Sequence, residues 1–337
     1  MRRLLVLLSL LLLAPAAFAE TAPQNIAPKP LYRDPVYDGA ADVSSVYDRA
    51  RRRWTMFYTN RRATLKLPDP KDVAWVHGTK IGMATSKDGL TWRYAGAATF
   101  PAACAGPTLW APELYYEAGV YHMWLTVVPG IYSSWGHGAT AKIVHLTSPD
   151  LKTWTCSDTV ETGSARVIDP SVIKLSDHHY RLWYKDERAG SRIFALDSGD
   201  LVHWKKTLPD PVIDTNAEGP KVFFFKGYYW LIADKWEGLI VLRSTDAAHW
   251  ELQPARILEQ PGTRPTDNAK GQHADVIVNN GRAFIYYFVH QENAPEARTD
   301  PYWRQRSAVQ VAELKFDDGW LSVDRDADVT TPLIPPQ

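Results

Sequence analysis

The chain carries no excess charge of either sign: 38 Lys+Arg stand against 38 Asp+Glu in 337 residues, a formal net charge of zero. Without a basic field nothing gathers phosphates, which argues against a general nucleic-acid binder. Cysteine is nearly absent, Cys104 and Cys156 being the only two. In an oxidising compartment they could pair, although two cysteines by themselves do not fix that bond. A GxxxxGK[ST] phosphate cradle is missing, as is a GxSxG elbow, so phosphate transfer and Ser-His-Asp hydrolysis find no support. No long stretch carries a 3.6-residue apolar period, and low-complexity tracts are absent. One apolar run exists, from Leu4 to Leu13, preceded by Met1-Arg2-Arg3 and followed by Ala17-Phe18-Ala19. That is the order of a signal peptide. Cleavage after Ala19 is expected, leaving 337 − 19 = 318 residues. No later stretch approaches the roughly 20 apolar residues of a membrane span, so the expected product is secreted or periplasmic, with no membrane contact.

What is abundant is aromatic: 14 Trp, 16 Tyr and 10 Phe, 12% of the chain. These residues recur in phase. Ser86 to Trp92, Ser148 to Trp154, Ser198 to Trp204 and Ser244 to Trp250 each run from a Ser-x-Asp turn to a tryptophan, and the tryptophans lie 62, 50 and 46 residues apart. A second series is aromatic and β-branched: Trp54 to Thr59, Tyr121 to Thr126, Tyr180 to Lys185, Tyr229 to Asp234 and Ala283 to Phe288. A third precedes each of these by about a dozen residues, beginning at Asp42, Ala111, Asp169, Glu218 and Ala274. Three series in phase fit four-stranded blades better than an irregular sandwich. The spacing predicts an all-β fold, a five-bladed β-propeller spanning residues 20–337 as one domain, with the Pro-rich residues 20–36 as a strap and Ser307 to Phe316 in the ring closure.

The inner strand of each blade lines the central channel, so equivalent positions at the strand starts converge. Asp42, Asp169 and Glu218 occupy nearly the same place in three blades: each lies 14 or 15 residues before the centre of its following strand. Carboxylates crowded together raise one another's pKa, an arrangement that costs stability unless it has a use. Glycosidic hydrolysis has that use, since one carboxyl must donate a proton while another stays ionised.

Here the sequence resembles a known family. The segments Ala41 to Asp48, Trp110-Ala111-Pro112-Glu113, Ile168-Asp169-Pro170-Ser171-Val172, Glu218-Gly219-Pro220-Lys221-Val222 and Leu314 to Trp320 look, in order, like the blade motifs of family 43 glycoside hydrolases and related five-bladed glycosidases. The resemblance implies Asp42 as general base, Asp169 as the residue that tunes pKa and orientation, and Glu218 as general acid of an inverting mechanism. Val43 stands where the family commonly has proline, and Asp38 is the alternative for the base. His273 opens the fifth inner strand, where similar propellers hold a histidine near a central, largely water-coordinated calcium; the alternative is a hydrogen-bonded structural imidazole. His290 and Arg306 are candidates for substrate contact. Trp110, with Trp135 and Trp236 as looser candidates, would stack on a sugar ring. The expected substrate is an oligosaccharide or polysaccharide from which a terminal pentose such as α-L-arabinofuranose or β-xylose is released. Two alternatives stay open: a retaining fructan-type glycosidase with Asp42 as nucleophile, and a carbohydrate-binding propeller without catalysis.

Overall fold

A computed structural model describes residues 25–136, 138–209 and 211–336. The expected signal peptide, residues 1–19, lies outside the described residues. Among those described, five four-stranded antiparallel sheets follow one another along the chain, each made of consecutive strands. Blade one contains β1 (Ala40–Asp48), β2 (Arg53–Asn60), β3 (Lys80–Ser86) and β4 (Arg93–Ala97). Blade two contains β5 (Thr108–Glu117), β6 (Val120–Val128), β7 (Lys142–Ser148) and β8 (Thr155–Thr159). Blade three contains β9 (Val167–Ser176), β10 (His179–Asp186), β11 (Arg192–Ser198) and β12 (Trp204–Lys205). Blade four contains β13 (Glu218–Phe225), β14 (Tyr228–Asp234), β15 (Leu239–Ser244) and β16 (Glu251–Leu252). Blade five contains β17 (Gln272–Asn279), β18 (Arg282–His290), β19 (Ser307–Asp317) and β20 (Trp320–Val323). This is the five-bladed β-propeller that the repeats predict.

The turn signature works as its composition suggests. In Ser86 to Trp92, Asp88 Oδ1 accepts the N–H groups of Leu90 and Thr91 while Ser86 Oγ accepts that of Gly89, closing the turn with side chains. Asp150, Asp200 and Asp246 accept two N–H groups each in the same way. Each turn tryptophan then packs edge-on against the second strand of the preceding blade. Trp154 meets Phe57, Trp204 meets Trp124, Trp250 meets Trp183 and Trp92 meets Tyr286, with centroids 5.9–6.4 Å apart and planes 82–85° to one another. Edge-to-face pairs of this kind add about 0.5–1.5 kcal/mol each beyond the area they bury. Repeated around the ring, they set blade against blade.

The N-terminal strap closes the ring without entering a sheet as a strand: Tyr32 bridges Val309 and Gly39 bridges Ser307, both on β19. Cys104 and Cys156 form a disulfide, tying the crossing from blade one to β8 across 52 residues. Loop closure of that length stabilises by about 2–4 kcal/mol. Replacing both cysteines by serine is therefore expected to lower the thermal midpoint while leaving the blades formed; an unchanged midpoint would remove the bond from the account.

One local feature positions the site. Every inner strand carries a β-bulge at the same place, where the pairing register shifts: Ala41/Ser44 in β1, Trp110/Glu113 in β5, Gln272/Asp275 in β17, with counterparts in β9 and β13. The first bulge residue is left-handed in all five blades: Asp42 (φ 50°), Ala111 (44°), Asp169 (57°), Gly219 (55°) and His273 (23°). A bulge re-aims side chains. Left-handed backbone on non-glycine residues is uncommon and clusters at functional sites.

Candidate active site

The bulges bring Asp42, Asp169 and Glu218 onto one cavity of ≈ 410 Å³, together with His273, His290 and Trp110. Asp42 and Asp169 are the left-handed bulge residues of blades one and three. Glu218 is offset by one: it precedes the bulge, and Gly219 takes the left-handed position. Glycine is required there twice over, because its φ is positive and an added Cβ would sit 2.6 Å from the His273 ring. His273 thus lies against Gly219, and its Nδ1 is 3.2 Å from Asp42 Oδ1.

The three acids have different surroundings. Burial works to raise the Asp42 pKa, but Arg61 and His273 outweigh it and hold the carboxyl well below the usual range. Arg61 Nη2 lies 3.2 Å from Asp42 Oδ1, and its guanidinium also stacks 4.5 Å from the Phe288 ring centre. Asp169 is pushed up to about 6, by burial first and by the neighbouring Glu218 and Asp42, against the opposing charges of His273 and Lys185. Its Oδ2 accepts the Gly219 N–H at 3.0 Å. Glu218 Oε2 accepts from Lys185 Nζ at 2.8 Å. Asp234, cross-strand from Glu218, is buried and raised to about 7 by burial and by the Glu218 charge. It accepts the backbone N–H groups of Trp236 and His273, which fixes both.

His290 accepts from Arg61 at Nε2, 3.2 Å away. Burial and the Arg61 charge hold it down to about 3, so it is neutral. Trp110 donates from Nε1 to the Val76 carbonyl at 2.7 Å, and its ring packs 5.0 Å from His77. Trp135 and Trp236 also line the cavity, as does Trp75. Arg306 does not join this group. Its Nη1 pairs with Asp38 Oδ2 at 2.8 Å, Arg33 pairs with the same carboxyl, and the guanidinium stacks on Trp303. Asp38, the alternative base, is therefore committed to two arginines away from the cavity lining. Sequence reading missed Arg61, Arg166, Lys185 and Glu187, all of which line the cavity.

In the channel that His273 opens, the carboxylates of Asp42, Glu113 and Asp275 already face cations. Burial works against the charge of His273, but Asp42 outweighs it and raises the imidazole to about 9. One step down the channel the residues after the bulges form a ring of their own: Ser44, Glu113, Ser171, Lys221 and Asp275. Lys221 Nζ lies 2.8 Å from Asp275 Oδ1 and 2.9 and 3.0 Å from the Glu113 oxygens. Both channel carboxylates are thus paired to an ammonium. Among the described residues no group of three or more His, Cys, Asp or Glu side chains is placed to hold a metal ion.

No known family profile matches the chain, and no curated protein matches it in sequence. Its fold has close counterparts among solved structures. A thermostable family-43 glycoside hydrolase is 17% identical with a TM-score of 0.64, covering 91% of this chain and 98% of that one. A family-43 β-xylosidase/α-arabinofuranosidase from a compost microbial metagenome, in complex with xylotriose, is 14% identical with a TM-score of 0.61, covering 85% and 96%. An α-L-arabinanase mutant from Cellvibrio cellulosa is 17% identical with a TM-score of 0.58, covering 85% and 95%. Over most of its length the chain is similar in fold to family-43 glycoside hydrolases and arabinanases.

Proposed function

We propose that the protein is an exported glycoside hydrolase that releases a terminal sugar with inversion of configuration. The observation that carries this is the contrast among three carboxyls on one cavity: Asp42 held ionised, Asp169 raised to about 6 with Glu218 as a neighbour, and Glu218 itself on the same lining. Hydrolysis of an acetal needs such a division of labour. Glu218 gives its proton to the glycosidic oxygen as the bond from that oxygen to the anomeric carbon breaks. Asp42 takes a proton from water as the water oxygen bonds to the anomeric carbon. The products are a free sugar and an alcohol; the proton gained by Asp42 and that lost by Glu218 are exchanged with solvent. Asp169 binds neither leaving group nor water in this scheme: it fixes the backbone under Glu218 through the Gly219 N–H and limits how much charge collects around it.

A cavity walled by Trp110, Trp135 and Trp236 suits the apolar faces of one or two sugar rings. We assign the substrate to pentose-bearing oligosaccharides or polysaccharides, with α-L-arabinofuranose or β-xylose as the released sugar, on the chemistry named for the neighbours above; export rests on the N-terminal sequence. The test is a panel of aryl glycosides and oligosaccharides offered to wild type and to Glu218→Gln. Release of one sugar by the wild type and none by the variant supports the proposal. Sugar binding without turnover in either would leave a carbohydrate-binding propeller.

A further inference from the structure

Lys185 departs from a pattern kept by three of the other four blades. The residue paired across from the start of each bulge is Thr59, Thr126, Lys185, Asp234 and Phe288 in blades one to five. In blades one, two and four this residue ties its blade to the next by accepting a backbone N–H from that blade's left-handed bulge residue. Thr59 accepts from Ala111 at 2.8 Å, Thr126 from Asp169 at 3.1 Å and Asp234 from His273 at 3.1 Å. An ammonium has nothing with which to accept, so blade three lacks that tie. The N–H left over, that of Gly219, goes to Asp169 instead.

What blade three places there is a buried cation, 4% exposed. Its Nζ donates to Glu218 Oε2 at 2.8 Å and lies 3.4 Å from Glu187 Oε1 and 5.5 Å from the Trp236 ring centre. Glu187 is in turn paired with Arg166. The charged groups around the ammonium are therefore Asp169 on β9, Glu187 beyond β10, Glu218 on β13, and Asp234 and His273 behind them on β14 and β17. Burying a lysine is unfavourable unless its charge is matched. Burial works against the Lys185 charge, but Glu218, Asp169 and Glu187 outweigh it and keep the ammonium charged.

We infer that Lys185 is a positioning residue for the acid: it holds the Glu218 carboxyl at the cavity wall and stabilises the carboxylate that proton donation leaves behind. This rests on the reading of Glu218 as general acid. A carboxyl beside a fixed cation is a stronger proton donor, because the charge it acquires is already countered. The advantage is felt only where the leaving group needs the proton. Oligosaccharides and alkyl glycosides do; a dinitrophenyl glycoside, whose leaving group departs as a stable anion, does not.

The experiment compares full-length wild type, Lys185→Met and Lys185→Arg on both kinds of substrate. For Lys185→Met, kcat on the oligosaccharide is expected to fall about 10²-fold, the scale of a misplaced catalytic group. KM should change little, and the dinitrophenyl substrate should be nearly unaffected. Lys185→Arg should recover much of the loss. Equal losses on both substrates, tracking the melting temperature, would overturn the proposal and leave Lys185 a packing residue. A crystal structure of Lys185→Met tests the contact without turnover: the Glu218 carboxyl should leave the place it holds beside Lys185 at the cavity wall, and a carboxyl that stays where it is overturns the proposal even if the wild type hydrolyses nothing, a result that would separately refute the glycosidase reading.

Discussion

Asp42→Asn and Glu218→Gln are each expected to lower turnover by roughly 10³- to 10⁴-fold, the upper part of the range for loss of a general acid or base, while the propeller stays folded. The fold should survive for stated reasons. Asp42 is left-handed at φ 50°, a conformation that asparagine tolerates better than other non-glycine residues. The amide of Asp42→Asn can still face Arg61 through its oxygen. In Glu218→Gln the amide keeps the shape of the carboxyl and an oxygen to accept from Lys185. What each loses is the charge or proton the chemistry needs. Asp169→Asn should cost less, because its amide oxygen can still take the Gly219 N–H; its effect should show mainly as a changed pH profile. Circular dichroism and thermal melting check the fold, and initial rates on the preferred glycoside check the loss. Full activity in either of the first two variants would remove that residue from its role.

The second large effect concerns stability. In the channel ring, each side chain except Lys221 accepts a backbone N–H from another blade: Ser44 from Leu114, Glu113 from Val172, Ser171 from Val222 and Asp275 from Ser45. Lys221 joins by charge, bridging Glu113 of blade two to Asp275 of blade five. Removing one partner from a buried charge pair costs about 3–5 kcal/mol. Lys221→Met should therefore destabilise by about that much at neutral pH, leaving two carboxylates facing each other. Glu113 is already raised, by burial first and by the Asp275 charge, with Lys221 opposing. Without Lys221 its folded pKa rises further above the unfolded value, so the folded state binds the proton more tightly and the deficit should shrink as pH falls. Added calcium should also restore part of the loss, by supplying the missing cation. The wild type should melt at the same temperature and turn over at the same rate with or without a chelator. A Lys221→Met protein as stable as wild type at neutral pH would show that the ring carries no weight.

The blades were legible because their signals are local. The Ser-x-Asp turn, the tryptophan that follows it and the aromatic second strand each sit within a few residues, and the phase between them survives variable loops. Asp42 and Asp169 were legible for the same reason, as acids at equivalent strand starts. The bulge was not, since a two-against-one pairing depends on the partner strand, and without it the one-residue offset of Glu218 against Asp42 could not be seen. Arg61, Lys185 and Glu187 were missed because they lie at or just beyond the end of second strands, where a charged residue ordinarily reads as a solvated strand terminus. A signal existed: aligning the ends of the second strands sets Thr59, Thr126, Lys185, Asp234 and Phe288 in register, and Lys185 stands out as the one cation among the five. Arg306, suggested by the family resemblance, and Asp38, the alternative to Asp42 as base, satisfy one another's charge outside the cavity lining. Lys221 directly follows the Glu-Gly-Pro element, but its role is hidden there because its partners are remote, Glu113 108 residues away and Asp275 on a separate blade.

The most direct test of the account is proton NMR of the first sugar released by the wild type from an aryl pentoside, recorded before mutarotation, with Glu218→Gln alongside. The account predicts the inverted anomer from the wild type and no release from the variant. Release of the retained anomer, or undiminished hydrolysis by Glu218→Gln, would contradict it.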